Sequence, residues 1–491
     1  MTAGTAGPCD GGAAAAVVAP TPSHTPHPTG TLAATILGSS LAFVDSSVVN
    51  VGLPSIERSL GASGASISWL VNAYLLPLGA LVLFGGVAGD RWGRKRTFLA
   101  GMLVFVLASI GCALAPSFAL LLVARVAQGL GAAFLMPASL ALLGAAFSGE
   151  ARGRAVGTWA AAGAITGAIG PLLGGWLIDV VGWRSIFVIN VPLALAAAVL
   201  AWNYVDESRS DEPAPLDVGG ALLATAGLAL LTIGLTVLAG RGTAAAATAA
   251  VAAATASVAT TATIALVAGG VLLLAFVALE AKLGAKAMMP LALFGTKSFV
   301  GVTLLTLFLY AALGGMIVLL PYALIESGGY SAAAAGAALL PLPIAMGLGS
   351  RAAGRLAERT GARLLLTIGP CIVAAGFALF TRIGPDAHAY VTAVLPALAV
   401  VACGLTLSVA PLTAAVMSAV DAAHVGSASG VNNAVARVAG LLATATLGLV
   451  LAAGSANVEF SVRFHAAALF GALLAFAAGA AAFVLVDAKR R

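Results

Sequence analysis

Apolar runs long enough to cross a bilayer recur along the whole chain, each bounded by charge, proline or glycine. A spanning helix needs about 20 mainly apolar residues. Runs of that kind fall near 31–53, 67–88, 98–115, 119–146, 154–177, 186–204, 217–238, 259–280, 298–320, 332–353, 364–382, 389–410, 426–451 and 465–487, so fourteen spans are predicted. The stretch Ala244 to Thr263, nearly all Ala, Thr and Val, reads as an external loop or a helix extension. Residues 1–30 are rich in Ala, Gly, Pro and Thr, hold no Lys or Arg, and read as a disordered tail without the basic region of a secretory signal. The tail histidines His24 and His27 have no Cys or carboxylate neighbours and are read as solvated, not metal-binding.

Composition agrees with the pattern. The chain is 61% hydrophobic and only 9% charged, against about 25% charged in soluble domains, and its mean hydropathy is +1.06. No single water-soluble core can absorb that much apolar surface, whereas lipid accepts it on every side. The net charge of +6 raises nucleic acid as a partner, but the basic residues lie between apolar runs instead of on one soluble face. They obey the positive-inside rule. With both termini cytoplasmic, the inside loops hold Arg91, Arg94, Lys95, Arg96, Arg152, Arg154, Arg209, Lys282, Lys286, Lys297, Arg351, Arg355, Arg359, Arg363, Lys489, Arg490 and Arg491. The outside loops keep only Arg58, Arg184, Arg241, Arg382 and Arg463, while Arg125 and Arg437 fall within spans. Cys112, Cys371 and Cys403 lie in apolar runs and Cys9 in the tail, so no disulfide framework is expected.

An internal repeat divides the chain. After the second span comes Gly86-Val-Ala-Gly-Asp90-Arg91-Trp-Gly93-Arg94-Lys95, and after the tenth comes Gly354-Arg-Leu-Ala-Glu358-Arg359-Thr-Gly361-Ala-Arg363. Both read glycine, three residues, an acid, arginine, any residue, glycine, then basic residues. Each copy lies two spans into its half, which implies six spans per half plus two inserted ones. The expected organisation is a tail over 1–30, a six-helix bundle over 31–204, a linker with two extra spans over 205–297 and a second bundle over 298–491. Repeated halves with a substrate site at their interface are a hallmark of secondary transporters.

On these residues the chain resembles the major facilitator superfamily: segment 86–98 is similar to its loop signature and the repeat to the second-half copy. The tight turn needs a small residue at Gly93, and Asp90 can cap or face the positive end of a helix dipole, giving this loop a gating role. Leu41-Ala-Phe-Val-Asp45-Ser-Ser-Val-Val-Asn50-Val-Gly-Leu-Pro54 resembles the first-helix signature of the fourteen-span drug:proton antiporter branch. Asp45 lies roughly 21 Å along its helix at 1.5 Å per residue. An ionised carboxylate at that depth is costly and is by default a functional hypothesis, here a proton carrier. Arg125-Val-Ala-Gln128 is similar to the fourth-helix arginine motif, whose arginine assists proton transfer as a fixed charge.

The fifth span reads Gly163-Ala-Ile-Thr-Gly167-Ala-Ile-Gly170-Pro171-Leu-Leu-Gly174-Gly175 and resembles the motif that marks antiporters of this superfamily. Gly163, Gly167, Gly170 and Gly174 recur at three or four residues and form one stripe for close helix packing, while Pro171 removes a backbone donor. Trp183-Arg184-Ser-Ile-Phe187 with Asn190-Val-Pro192 looks like the start of the branch's sixth span. Gly430-Val-Asn432-Asn433 with Arg437 resembles its thirteenth. Asn50, Trp69, Tyr74, Gln128, Asn432, Asn433 and Arg437 are the candidate cavity residues.

Ala88 and Gly89 depart from the loop signature, Glu358 replaces Asp in the second copy, and the second half has no mid-helix acid, which weighs against multivalent cations as substrates. With no phosphate-cradling loop, an ATP-driven pump is disfavoured, and the scattered histidines make no metal centre. The sequence reading is therefore an all-α integral membrane protein of two six-helix bundles plus two extra central helices, not an enzyme. It is expected to act as a monomer in the lipid bilayer of the cytoplasmic membrane, with the proton as coupling ion and no other cofactor, exporting small amphipathic drugs or toxic metabolites. A permease for one metabolite on the same fold is the alternative.

Overall fold

The computed structural model describes residues 27–62, 64–210, 216–240, 249–284, 287, 289–383, 390–421, 425–447 and 458–487. In lipid every backbone polar group must be satisfied within the chain, and helices do this segment by segment. The helices are α1 (Pro28–Leu60), α2 (Gly64–Trp92), α3 (Arg94–Leu114), α4 (Phe118–Ala146), α5 (Gly149–Val180) and α6 (Ser185–Tyr204). Then follow α7 (Val218–Gly240), α8 (Ala249–Leu283), α9 (Lys297–Glu326), α10 (Ala332–Thr360) and α11 (Ala362–Leu379). The chain closes with α12 (Tyr390–Ser418), α13 (Val425–Thr446) and α14 (Val458–Leu485).

Thirteen described helices are long and apolar enough to cross a membrane. The remaining one, α13, is diluted by Asn432, Asn433 and Arg437. Helix α1 begins at Pro28, inside the expected tail, and residues 249–263 are helical, so the Ala-rich stretch extends α8. Cys9 and His24 lie outside the described residues, as do Lys286 and the C-terminal Lys489, Arg490 and Arg491. His27 meets Tyr204 edge-on at 5.4 Å.

The repeat seen in the sequence is a repeat of neighbours. Helix α1 packs on α5 and α6 as α9 packs on α13 and α14, and α4 packs on α2 and α3 as α12 packs on α10 and α11. Lipid tails supply no hydrophobic drive between helices, so close approach at small residues carries much of the adhesion. Gly101 and Gly369 show how: a Cβ at Gly101 would sit 2.9 Å from the Gly131 carbonyl oxygen of α4, and one at Gly369 would sit 2.8 Å from that of Gly404 on α12. Polar glue assists: Ser39 of α1 donates to Ser139 of α4 at 2.8 Å and accepts from the Trp159 indole of α5 at 2.9 Å.

The halves meet along two seams. On one, α5 touches the start of α10 and α1 touches α9; on the other, α2 lies against α13. The inserted pair α7 and α8 packs on itself, and α7 leans on both α2 and α13. There Ala80, Leu228 and Leu441, one residue from each of these three helices, form a small apolar cluster.

Candidate functional site

Asp45 and Arg125, placed on different spans by the sequence, are in contact. Asp45 is 1% exposed and Arg125 1% exposed, and the guanidinium Nη1 donates to Asp45 Oδ2 at 2.5 Å. Gln128, one turn along α4 from Arg125, donates its amide to Asp45 Oδ1 and to Ser109 Oγ of α3, both at 2.8 Å. Its Oε1 accepts from Arg125 at 2.8 Å, and Arg125 Nε donates to the Leu70 carbonyl of α2 at 3.1 Å. Asn190 of α6 donates to Ser109 at 3.2 Å and to Asp45 at 3.5 Å. The Arg125 guanidinium lies 4.5 Å over the Tyr74 ring and 5.9 Å from Phe187. One carboxylate thus draws polar groups from α3, α4 and α6 around α1. A buried ion pair repays its desolvation only with such geometry and extra hydrogen bonds, and losing one partner costs about 3–5 kcal/mol.

The first repeated loop is braced by the chain after α6. Asp90 accepts from Arg94 at 2.7 and 2.9 Å. The carboxylate seated on the first turn of α3 is Glu207, which accepts from the amides of Lys95 at 3.0 Å and Arg96 at 3.1 Å, so it complements the positive helix end. Asp90, expected to cap or face a helix start, is bonded to Arg94 and is not the acid on α3. The Arg94 amide donates to the Ser208 carbonyl and the Ser210 amide to that of Asp90. Lys95 reaches the Trp202 carbonyl at 3.1 Å, while Arg91 faces outward. Gly93 has φ +109°, and a Cβ there would come within 2.7 Å of the Glu207 carboxylate. Gly86 packs on Pro137. In the second copy Gly361 has φ +87° with nothing within 4 Å of a Cβ, Gly354 is equally open, and Glu358 and Arg359 are exposed.

Helix α5 holds the first seam. Gly163, Gly170 and Gly174 face Phe43, Ser47 and Val48 of α1, whereas Gly167 meets open space, so the expected stripe of four contacts α1 at three positions. Gly175 abuts the Ala332 backbone and Gly336 abuts the Pro171 carbonyl, so α5 and α10 cross backbone to backbone between the halves. Asp179, one turn further, accepts from the α10 amides of Ala332 at 3.2 Å and Ala333 at 3.0 Å. At the same end, remote from the basic loop at 91–96, Tyr322 of α9 donates to Glu57 of α1 at 3.1 Å and Arg58 lies 3.9 Å from Glu326.

Among the other cavity candidates, Asn432 accepts from Thr306 of α9 at 2.6 Å, and Asn433 and Arg437 are partly exposed on α13. Asn50 bonds back to the Ser46 carbonyl at 3.3 Å with its Oδ1 buried and unmatched, and Trp69 is half-buried. Tyr74 is the one aromatic candidate that reaches the ion pair.

The description of the Major Facilitator Superfamily matches residues 35–444. The chain belongs to that superfamily. The multidrug resistance protein Stp of Mycobacterium tuberculosis is 35% identical over 431 residues, covering 87% of this chain and 77% of Stp. The methylenomycin A resistance protein of Bacillus subtilis is 32% identical, covering 92% of each. The cephamycin export protein CmcT of Amycolatopsis lactamdurans is 33% identical, covering 87% of this chain and 85% of CmcT. Among solved structures a D-xylose-proton symporter superposes with a TM-score of 0.64 at 16% identity over 94% of this chain and 98% of its own, which fixes the fold.

This major facilitator is therefore a multi-pass membrane transporter, and its site includes residues that sequence reasoning passed over. Ser109 and Cys112 lie on α3, where both read as ordinary span residues; Cys112 Sγ sits 3.6 Å from Gln128 Oε1. Asn190 was visible only as part of a motif, and nothing in the sequence singled out Glu207 or Asp179. A polar side chain within or just beyond a span, opposite the Arg125 motif, was the available signal.

Proposed function

We propose that this transporter exports amphipathic drugs or toxic metabolites across the cytoplasmic membrane in exchange for protons, as a monomer with both termini inside. The observation that carries the reading is the enclosed pair of Asp45 and Arg125. Asp45 is the acid that a proton can neutralise; Arg125 cannot give its proton up. Protonation of Asp45 cancels the attraction holding α1 to α4 while Arg125 keeps Leu70 and Gln128, so one proton alters how the first half is knitted. With the basic loops cytoplasmic, the Glu57–Tyr322 and Arg58–Glu326 contacts lie on the outer side and would hold it closed. The gating loops and the α5–α10 crossing are the parts that would move as access alternates. Relatives named for drug resistance and export support the substrate class.

The test uses everted membrane vesicles from an efflux-deficient host carrying the full chain, with compounds first chosen by a toxicity screen. Respiration that acidifies the lumen should drive accumulation of such a compound, and Asp45→Asn should abolish the dependence on the pH gradient while purified protein still binds the compound. Full proton dependence in Asp45→Asn would falsify the coupling assignment, and accumulation by intact cells instead of vesicles would select an uptake permease.

A further inference from the structure

We propose that Arg437 is the anion-receiving group of the central cavity, and that the cavity prefers amphipathic molecules bearing an acidic group, a carboxylate or an ionised phenol. The inference rests on the transport reading above and names its substrate class.

Arg437 lies 12 residues from the start of α13, about 18 Å along it at 1.5 Å per residue. Helix α13 is boxed in by α2, α7, α9 and α12. Even so, residues 432–438 each keep partial exposure. The α2–α13 contact is a seam between the halves, so Arg437, itself partly exposed, stands at their junction. Across from it, Gly79 of α2 leaves room for the arginine stem: a Cβ there would stand 3.3 Å from that of Arg437. Tyr310 lies on α9, which packs along α13. Tyr74, on the same helix as Gly79, is the ring under Arg125.

The charge balance decides the preference. Asp45 cancels Arg125 at 2.5 Å, whereas Arg437 makes no ion pair or hydrogen bond among the described residues. An intramembrane charge without a partner is costly and repels a second cation, and an anionic ligand relieves both. Neutral groups around it can complete the match. Thr303, Thr306 and Tyr310 share one face of α9, which Thr306 turns toward α13 through Asn432. Thr303 Oγ1 is buried without a partner. A carboxylate here can accept two parallel bonds from the guanidinium.

Two dyes on one xanthene scaffold with opposite charge, anionic fluorescein and cationic rhodamine 6G, test this on the purified full chain in detergent. Fluorescence anisotropy should show fluorescein binding at least tenfold tighter than rhodamine 6G. Arg437→Gln should weaken fluorescein tenfold or more without weakening rhodamine 6G, and Arg437→Lys should retain part of the preference. Tighter rhodamine binding, no fluorescein binding, or an unchanged ratio in Arg437→Gln overturns the proposal. Fluorescein bound but not driven into everted vesicles by a pH gradient sinks the export reading alone; driven transport of rhodamine without fluorescein binding sinks this one alone.

Discussion

Two arginines at membrane depth set the halves apart. In the first half Arg125 is enclosed, paired with Asp45, bonded to Leu70 and Gln128 and laid over Tyr74. In the second half Arg437 is partly exposed, stands beside Gly79 and has no ion pair among the described residues. They stand on helices that are not counterparts in the repeat, α4 and α13, and their electrostatics differ. The loops differ in the same sense: Gly93 is wedged against Glu207 and its neighbours Arg94 and Asp90 are tied to Ser208 and Ser210, while Gly361 turns in open space. Duplicated packing can thus keep one half as the bonded, charge-neutral partner and leave the other as the open wall.

Removing the enclosed guanidinium should cost most. Arg125→Ala strands Asp45 and should lower unfolding stability by about 3–5 kcal/mol, read as a large fall in melting temperature in detergent. Arg437→Ala should change it by about 1 kcal/mol or less, because no paired group is left behind. Equal losses would erase the contrast. The loops come next. Both glycines have positive φ, so alanine at either is strained by about 1–3 kcal/mol; Gly93→Ala should lie at the upper end because it also displaces Glu207, and Gly361→Ala at the lower. The smallest effect belongs to the brace: Glu207→Ala should cost about 0.5–2 kcal/mol as a lost helix cap, against about 0.5 kcal/mol or less for exposed Glu358→Ala. Hydrogen exchange at the start of α3 should rise in Glu207→Ala alone.

The helices were legible in the sequence because lipid demands long apolar runs, and Asp45, Arg125 and Gln128 because a charge in such a run needs a reason. What joins them was less visible. Ser109 and Asn190 are small polar residues on other spans, and nothing local marks them as facing Asp45. Glu207 sits in a short polar connector where an acid looks like solvated punctuation, yet it occupies the start of α3. The glycine periodicity of α5 was plain, but period alone could not tell that Gly167 faces open space or that Gly175 meets α10 instead of α1. Face and partner are properties of the assembled halves.

The inserted hairpin gives the molecule a handedness toward its surroundings. Because α7 leans on both α2 and α13, sealed by Ala80, Leu228 and Leu441 and by Thr236 donating to the Ala445 carbonyl, it roofs one of the two lateral seams. A molecule dissolved in the surrounding leaflet meets a wall on that flank, while the opposite flank is held where α5 crosses α10 backbone to backbone.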